Sequence, residues 1–224
     1  MPYTLSPSSL SLFEECPRCF WLHHNEGKKR PAGIFPSLPS GMDGILKKHF
    51  DKFMRQGKMP PELCKNKECK GMKLFDNENL LIVWRNNKKG ISYEDEKGNT
   101  LRGAVDNLLL KGKKFVVLDY KTRGYPLKED THKSYQKQLD IYCYLLRKNG
   151  YETENYGFLL FYIPREIKET GEVIFDTVLK KMPVDIKRAE LLWKKALRLL
   201  EGKCPKQDEE CAWCKLLEAE TRGM

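Results

Sequence analysis

The sequence predicts a mixed α/β fold, and three observations carry that prediction. Runs that are apolar on both faces, at residues 103–110, 115–118 and 157–163, read as strands buried in the middle of a sheet. Stretches with apolar residues at helical spacing, above all 135–146 and 186–200, separate or follow them. Strands interrupted by helices pack as a central mixed sheet flanked by helices, and 224 residues suffice to bury one good core.

The elements follow in order. Ser6-Pro7 opens a helix, with a hydroxyl cap, proline in the first turn, and Leu10, Phe13 and Cys16 at helical spacing. The Gly- and Pro-rich stretch 27–41 is expected to be an extended loop. Residues 42–54 read as a helix with Ile45, Leu46, His49, Phe50 and Phe53 along one side. Residues 60–71 look irregular, and short strands are expected near 80–85 and 91–94. Asp130 or Thr131 is expected to cap a helix that stops at Asn149-Gly150. An amphipathic strand near 173–179 leads to Pro183 and a last long helix, with Ile186, Ala189, Leu192, Trp193, Ala196 and Leu200 inward and Gly202 at its end.

The stretch 101–142 holds the chemistry. Its second strand ends in Asp119-Tyr120-Lys121, and strand alternation puts Asp119 and Lys121 on one face with Tyr120 on the other. Charges at the end of a buried strand are costly unless something pairs with them. The hairpin partner supplies a second acid, Asp106. Two neighbouring carboxylates repel each other, and a divalent cation relieves the repulsion. On the helix that follows, Gln138 and Tyr142 stack at i,i+4 on the stripe of Tyr135, Leu139, Leu145 and Leu146. Each of these residues taken singly also fits an ordinary ion pair or packing position.

Composition narrows the class. The formal net charge of +10, with basic residues along the whole chain, suits a polyanionic partner, although a solvated lysine-rich surface accounts for charge alone equally well. There is no apolar run long enough to cross a bilayer and no basic-then-apolar leader, so a soluble, cytoplasmic protein is expected. Eight cysteines in that compartment point to metal or free thiols rather than disulfides.

The ordered set Gly103-x-x-Asp106, Asp119-x-Lys121 and Gln138-x-x-x-Tyr142 resembles the PD-(D/E)XK nuclease superfamily. The Gln-x-x-x-Tyr helix is similar to that of its RecB-like branch, which includes AddAB-type and CRISPR-associated exonucleases. The resemblance implies one nuclease domain over residues 1–224 with a restriction-endonuclease-like core. It further implies Mg²⁺- or Mn²⁺-dependent hydrolysis of phosphodiester bonds in single- or double-stranded DNA. Exonuclease or end-processing action in repair, recombination or defence follows, with a helicase or another nuclease-complex subunit as candidate partner. By the same resemblance Asp106, Asp119 and the Tyr120 backbone carbonyl hold the metal. Lys121 serves the reacting phosphate, and Gln138 and Tyr142 support that site or contact substrate phosphates. The family often adds a helical histidine ligand. Alignment on Asp51 puts Lys47 at that position, and His49, two residues on, is a further candidate. The rival reading is a non-catalytic nucleic-acid-binding or assembly subunit that keeps the fold.

Several RecB-like nucleases carry an iron–sulfur cluster on one N-terminal and three C-terminal cysteines. Cys16 with Cys204, Cys211 and Cys214 resembles that layout, and Cys19 is an alternative ligand. A [4Fe–4S] cluster, Zn²⁺ and free thiols all remain open on spacing. Cys64 and Cys69 form a weaker loop pair, and Cys143 is expected in the core.

Overall fold

The computed structural model describes residues 2–31 and 33–216. The chain runs β1 (Thr4–Leu5), α1 (Pro7–Glu15), α2 (Pro17–Asn25), α3 (Ser37–Arg55), α4 (Pro61–Cys64), β2 (Met72–Leu74), α5 (Glu78–Trp84), β3 (Ile91–Glu94), β4 (Thr100–Gly103), β5 (Asn107–Lys111) and β6 (Lys114–Thr122). It continues through α6 (Gln136–Lys148), β7 (Tyr156–Ile167), β8 (Val173–Pro183) and α7 (Ile186–Glu201).

The strands form two sheets, one ordered β1-β4-β3 and one ordered β2-β5-β6-β7-β8. Only β6 and β7 pair in parallel within the larger sheet. A parallel pair needs a crossover, and α6 supplies it, which lays that helix across the end of β6. The mixed α/β class and the central mixed sheet flanked by helices are as expected, in keeping with a restriction-endonuclease-like core.

The core explains the order. Val116, Val117 and Leu118 of β6 and Phe158–Phe161 of β7 are fully buried, so these two strands lie at the centre of the sheet. On α6, Leu139 and every residue from Ile141 to Leu146 are buried, because the helix is packed between the sheet and α7. The buried Asp140 fixes that packing: it accepts from the Asp185 backbone N–H at 2.9 Å and meets Arg188 at 2.5 Å. The capping box at Ser6 and the prolines in the first turns of α1 and α2 start those helices where the residue types require.

Three local expectations are corrected. Residues 80–85 are not a strand: Asn77 accepts from the Leu80 N–H at 3.1 Å and starts α5. Leu81 and Trp84, three apart, are buried while Ile82 and Val83 are exposed, the period of a helix and not of a strand. The loop expected over 27–41 ends early, since α3 begins at Ser37. Neither Asp130 nor Thr131 caps α6; a 3₁₀ turn over Thr131–Tyr135 runs straight into it.

Candidate active site

The site forms where the chain passes from the small sheet to the large one. β4 ends at Gly103 and β5 begins at Asn107, so Asp106 occupies the corner between them. The β5–β6 ladder pairs Asn107 with Leu118, and the same register carries Asp106 opposite Asp119. Residues opposite one another on an antiparallel pair share a face. The corner is pinned from two directions. The Tyr120 backbone N–H donates to Asp106 Oδ2 at 2.9 Å, and Arg85 Nε donates to the Asp106 carbonyl at 2.7 Å. Arg85 is itself held by both Asp51 oxygens, at 2.8 and 2.9 Å.

Tyr120 faces the opposite way, as alternation requires. Its ring lies 4.6 Å from Phe50 of α3, and its hydroxyl accepts from Asn107 Nδ2 at 2.7 Å. Asp119 and Lys121 therefore point towards α6. Lys121 Nζ lies 2.5 Å from Asp119 Oδ2, donates to Gln138 Oε1 at 3.0 Å and sits 4.8 Å above the Tyr135 ring. Gln138 Nε2 in turn donates to the Tyr142 hydroxyl at 2.7 Å. The structure thus brings together all five residues, Asp106, Asp119, Lys121, Gln138 and Tyr142. Gly103 makes room for them: a Cβ there would stand 2.7 Å from the Tyr142 ring.

The electrostatics are those of a site short of positive charge. Burial, then the neighbouring Asp106, raise the Asp119 carboxyl to about 7, even though Lys121 opposes them. Asp119 is 1 % exposed; Lys121 is the ion-pair partner of its Oδ2, while among the described residues its Oδ1 has no hydrogen-bond partner. A buried carboxylate with one oxygen left unpaired, beside a second carboxylate, carries a cost that a further cation lowers. Both are hard oxygen donors, so the pair fits Mg²⁺ or Mn²⁺. Tyr142 is pushed well above its ordinary value by burial and by the Asp119 charge, so its hydroxyl keeps its proton.

Lys47 and His49 fall on different sides of α3. Lys47 Nζ reaches Asp106 Oδ1 at 3.2 Å and Asp43 Oδ2 at 2.7 Å; burial opposes its charge, but these acids raise its pKa. His49, the candidate ligand, instead places Nε2 2.9 Å from Glu62 and packs on Phe53 at 5.0 Å. Residues two apart on a helix are about 200° apart in direction, so α3 can aim only one of them at the acids. Asp51, used in the sequence only to align Lys47, holds Arg85, and Arg85 and Asp43, which the sequence did not single out, complete the surroundings. The i,i+4 spacing of Asp43 and Lys47 was the one visible signal; nothing local marks Arg85.

Elsewhere in the molecule four sulfurs converge. Cys16, Cys19, Cys211 and Cys214 each place Sγ within 4.8 Å of the others, a group able to hold a metal ion. Cys204, expected among them, is not in this group; its Sγ lies 3.6 Å from the Pro205 carbonyl. Cys19 takes that place because two Cys-x-x-Cys turns meet, whereas Cys204 belongs to the extended segment that leaves α7. Cys143 is buried in the core as expected, and Cys64 is exposed while Cys69 is buried.

Among protein families, the model of the PD-(D/E)XK nuclease superfamily matches residues 4–219. No curated protein matches the chain.

Proposed function

The chain belongs to the PD-(D/E)XK nuclease superfamily, and on that footing we propose that it is a metal-dependent deoxyribonuclease of the RecB-like kind. One observation carries the assignment of the site: two acids, one at the corner before β5 and one on β6, lie beside a lysine that pairs with the second and is held by the helix Gln-x-x-x-Tyr pair. Nuclease membership implies a nucleic-acid substrate, and the formal net charge of +10 favours a polyanion.

Asp106, Asp119 and the Tyr120 backbone carbonyl are the residues that would hold Mg²⁺ or Mn²⁺. Bound there, such an ion lowers the pKa of a coordinated water and stabilises charge on the scissile phosphate. The chain's own residues do the rest. Lys121 places an ammonium on the same face as Asp119, where it neutralises negative charge that grows on the phosphate in the transition state. Gln138 accepts from Lys121 and so fixes the direction of that ammonium, and the Tyr142 hydroxyl fixes Gln138. The Tyr120 N–H and Arg85 hold the Asp106 corner while the acids change partners. Lys47 occupies the position of the family's histidine, so the protein ligands here are oxygens alone. His49 is left out of the site.

Exonuclease or end-processing action on DNA ends, in repair, recombination or defence, is the activity this architecture supports best, with any unwinding supplied by a partner helicase. Among the described residues no helix is long and apolar enough to cross a membrane. The test is a metal series on end-labelled single- and double-stranded DNA. The nuclease reading expects stepwise shortening from an end with Mg²⁺ or Mn²⁺ and none with chelator. Binding without cutting under every metal would replace it with the non-catalytic subunit, a reading for which the Lys47–Asp106 ion pair is the supporting observation.

A further inference from the structure

We propose that Cys16, Cys19, Cys211 and Cys214 hold a single tetrahedral Zn²⁺ that staples the two ends of the chain together. This inference does not depend on the nuclease reading.

The spacing of the sulfurs separates one ion from a cluster. Cys16 and Cys214 lie 3.5 Å apart, Cys19 and Cys211 3.6 Å, and Cys19 and Cys214 3.6 Å, with all four Sγ atoms within 4.8 Å of one another. Four thiolates around one Zn²⁺ at about 2.3 Å stand about 3.8 Å apart at the corners of a tetrahedron. In a [4Fe–4S] cluster each thiolate binds a different iron, and the sulfurs stand roughly 6 Å apart. The observed distances fit the first and are too short for the second. They are also far beyond the roughly 2.05 Å of a disulfide.

The two arms are built alike. The Cys19 backbone N–H donates to Cys16 Sγ at 3.4 Å, and Cys211-x-x-Cys214 repeats the spacing of Cys16-x-x-Cys19. The first turn thus offers a sulfur with an amide already aimed at it, the arrangement that supports a charged thiolate. Binding releases the thiol protons and leaves four thiolates on a 2+ ion, a net charge of −2. Arg30 stands ready to offset part of it, donating to Cys211 Sγ at 3.3 Å while pairing with Glu15 at 2.5 Å. Zinc is favoured over a lone ferrous ion because tetrahedral thiolate sites bind it more tightly.

The staple closes a seam that hydrogen bonds already trace. Arg18 donates to the Pro205 carbonyl at 2.9 Å, Trp21 to the Gly202 carbonyl at 3.0 Å, and the Tyr3 hydroxyl to the Leu200 carbonyl at 3.2 Å.

The test is elemental analysis and visible spectroscopy of the full chain purified without oxygen, followed by Co²⁺ exchange. About one zinc per chain is expected, without colour, and the Co²⁺ form should show the intense thiolate charge-transfer and d–d bands of a tetrahedral sulfur site. Cys19→Ser should lower zinc content severalfold, while Cys204→Ser should leave it unchanged. If Cys19→Ser does not fold, the native Co²⁺ spectrum and the Cys204→Ser result still decide. A brown protein with about four irons and labile sulfide, a single bound iron, or no metal with four freely reactive thiols would each overturn the proposal. Zinc retained in Lys121→Ala, whether or not the chain cuts DNA, keeps this result separate from the fate of the nuclease reading.

Discussion

The carboxylate corner and the cysteine seam solve opposite problems with opposite chemistry. At the corner, Lys47 and Lys121 already stand against Asp106 and Asp119, so the strands can fold before any ion arrives. The seam joins residues separated by 192 to 198 positions in sequence, and Arg30 donates to one of its sulfurs, Cys211 Sγ. Hard oxygens with competing ammonium groups suit an exchangeable ion; soft thiolates without such competition suit a permanent one. If both proposals hold, one centre is arranged for turnover and the other for holding.

The largest expected effect tests the corner alone. Lys121→Ala should reduce DNA cleavage by about 10²- to 10³-fold, as loss of a donor to transition-state charge does. Its zinc content should barely move, while its metal-free melting temperature should fall by several degrees because the buried Asp119 loses its ion-pair partner. An equal loss of zinc would erase the separation between the two centres.

The next effect is on stability and should fall at the seam. Stripping the thiolate metal with a strong chelator under reducing conditions should lower the melting temperature by roughly 10 °C or more, since structural zinc is worth many kcal/mol to folding. Removing Mg²⁺ or Mn²⁺ with a mild chelator that leaves zinc in place should change it by roughly 1–3 °C.

A smaller effect distinguishes the corner by pH. Without divalent ion, folded Asp119 keeps its proton up to about pH 7, whereas the unfolded chain releases it near the ordinary 3.8. Between those values the folded state binds the extra proton, so stability falls as pH rises through the window and stays low above it. Asp119→Asn should flatten that slope and raise the metal-free melting temperature at pH 8 by roughly 3–8 °C, read from thermal unfolding across pH 4–8. An unchanged slope would mean that another group carries the proton.

Lys47→Met should show the smallest change. With the cation gone from Asp106, Mn²⁺ binding should tighten by roughly 2- to 5-fold, while the metal-free melting temperature drops a few degrees because Asp43 and Asp106 lose their shared partner. Weaker Mn²⁺ binding would make Lys47 an aid to the metal rather than its competitor.

How much of this could be read beforehand follows from the range of each interaction. Asp119, Lys121 and Tyr120 were legible because strand alternation is local, and Gln138 with Tyr142 because i,i+4 stacking is local. The pairing of Asp106 with Asp119 followed from a hairpin with a short turn. Lys47 against Asp106, and Arg85 between Asp51 and Asp106, depend on how α3 and α5 dock against the sheet, which no local period encodes. The misreading of 80–85 came from a short apolar run, where strand and helix look alike, and Asn77 was the overlooked signal. Cys204 misled because a layout counted along the chain says nothing about which turns meet; the matching Cys-x-x-Cys pairs did.

The most direct measurement is calorimetric titration of Mn²⁺ into the zinc-loaded protein at pH 6, repeated in buffers of different ionisation enthalpy. Two facing carboxylates of which Asp119 is largely protonated predict one Mn²⁺ bound with release of close to one proton, and loss of that binding in Asp119→Asn. Binding of equal strength in Asp119→Asn, or binding of Mn²⁺ with no proton released, would contradict the account.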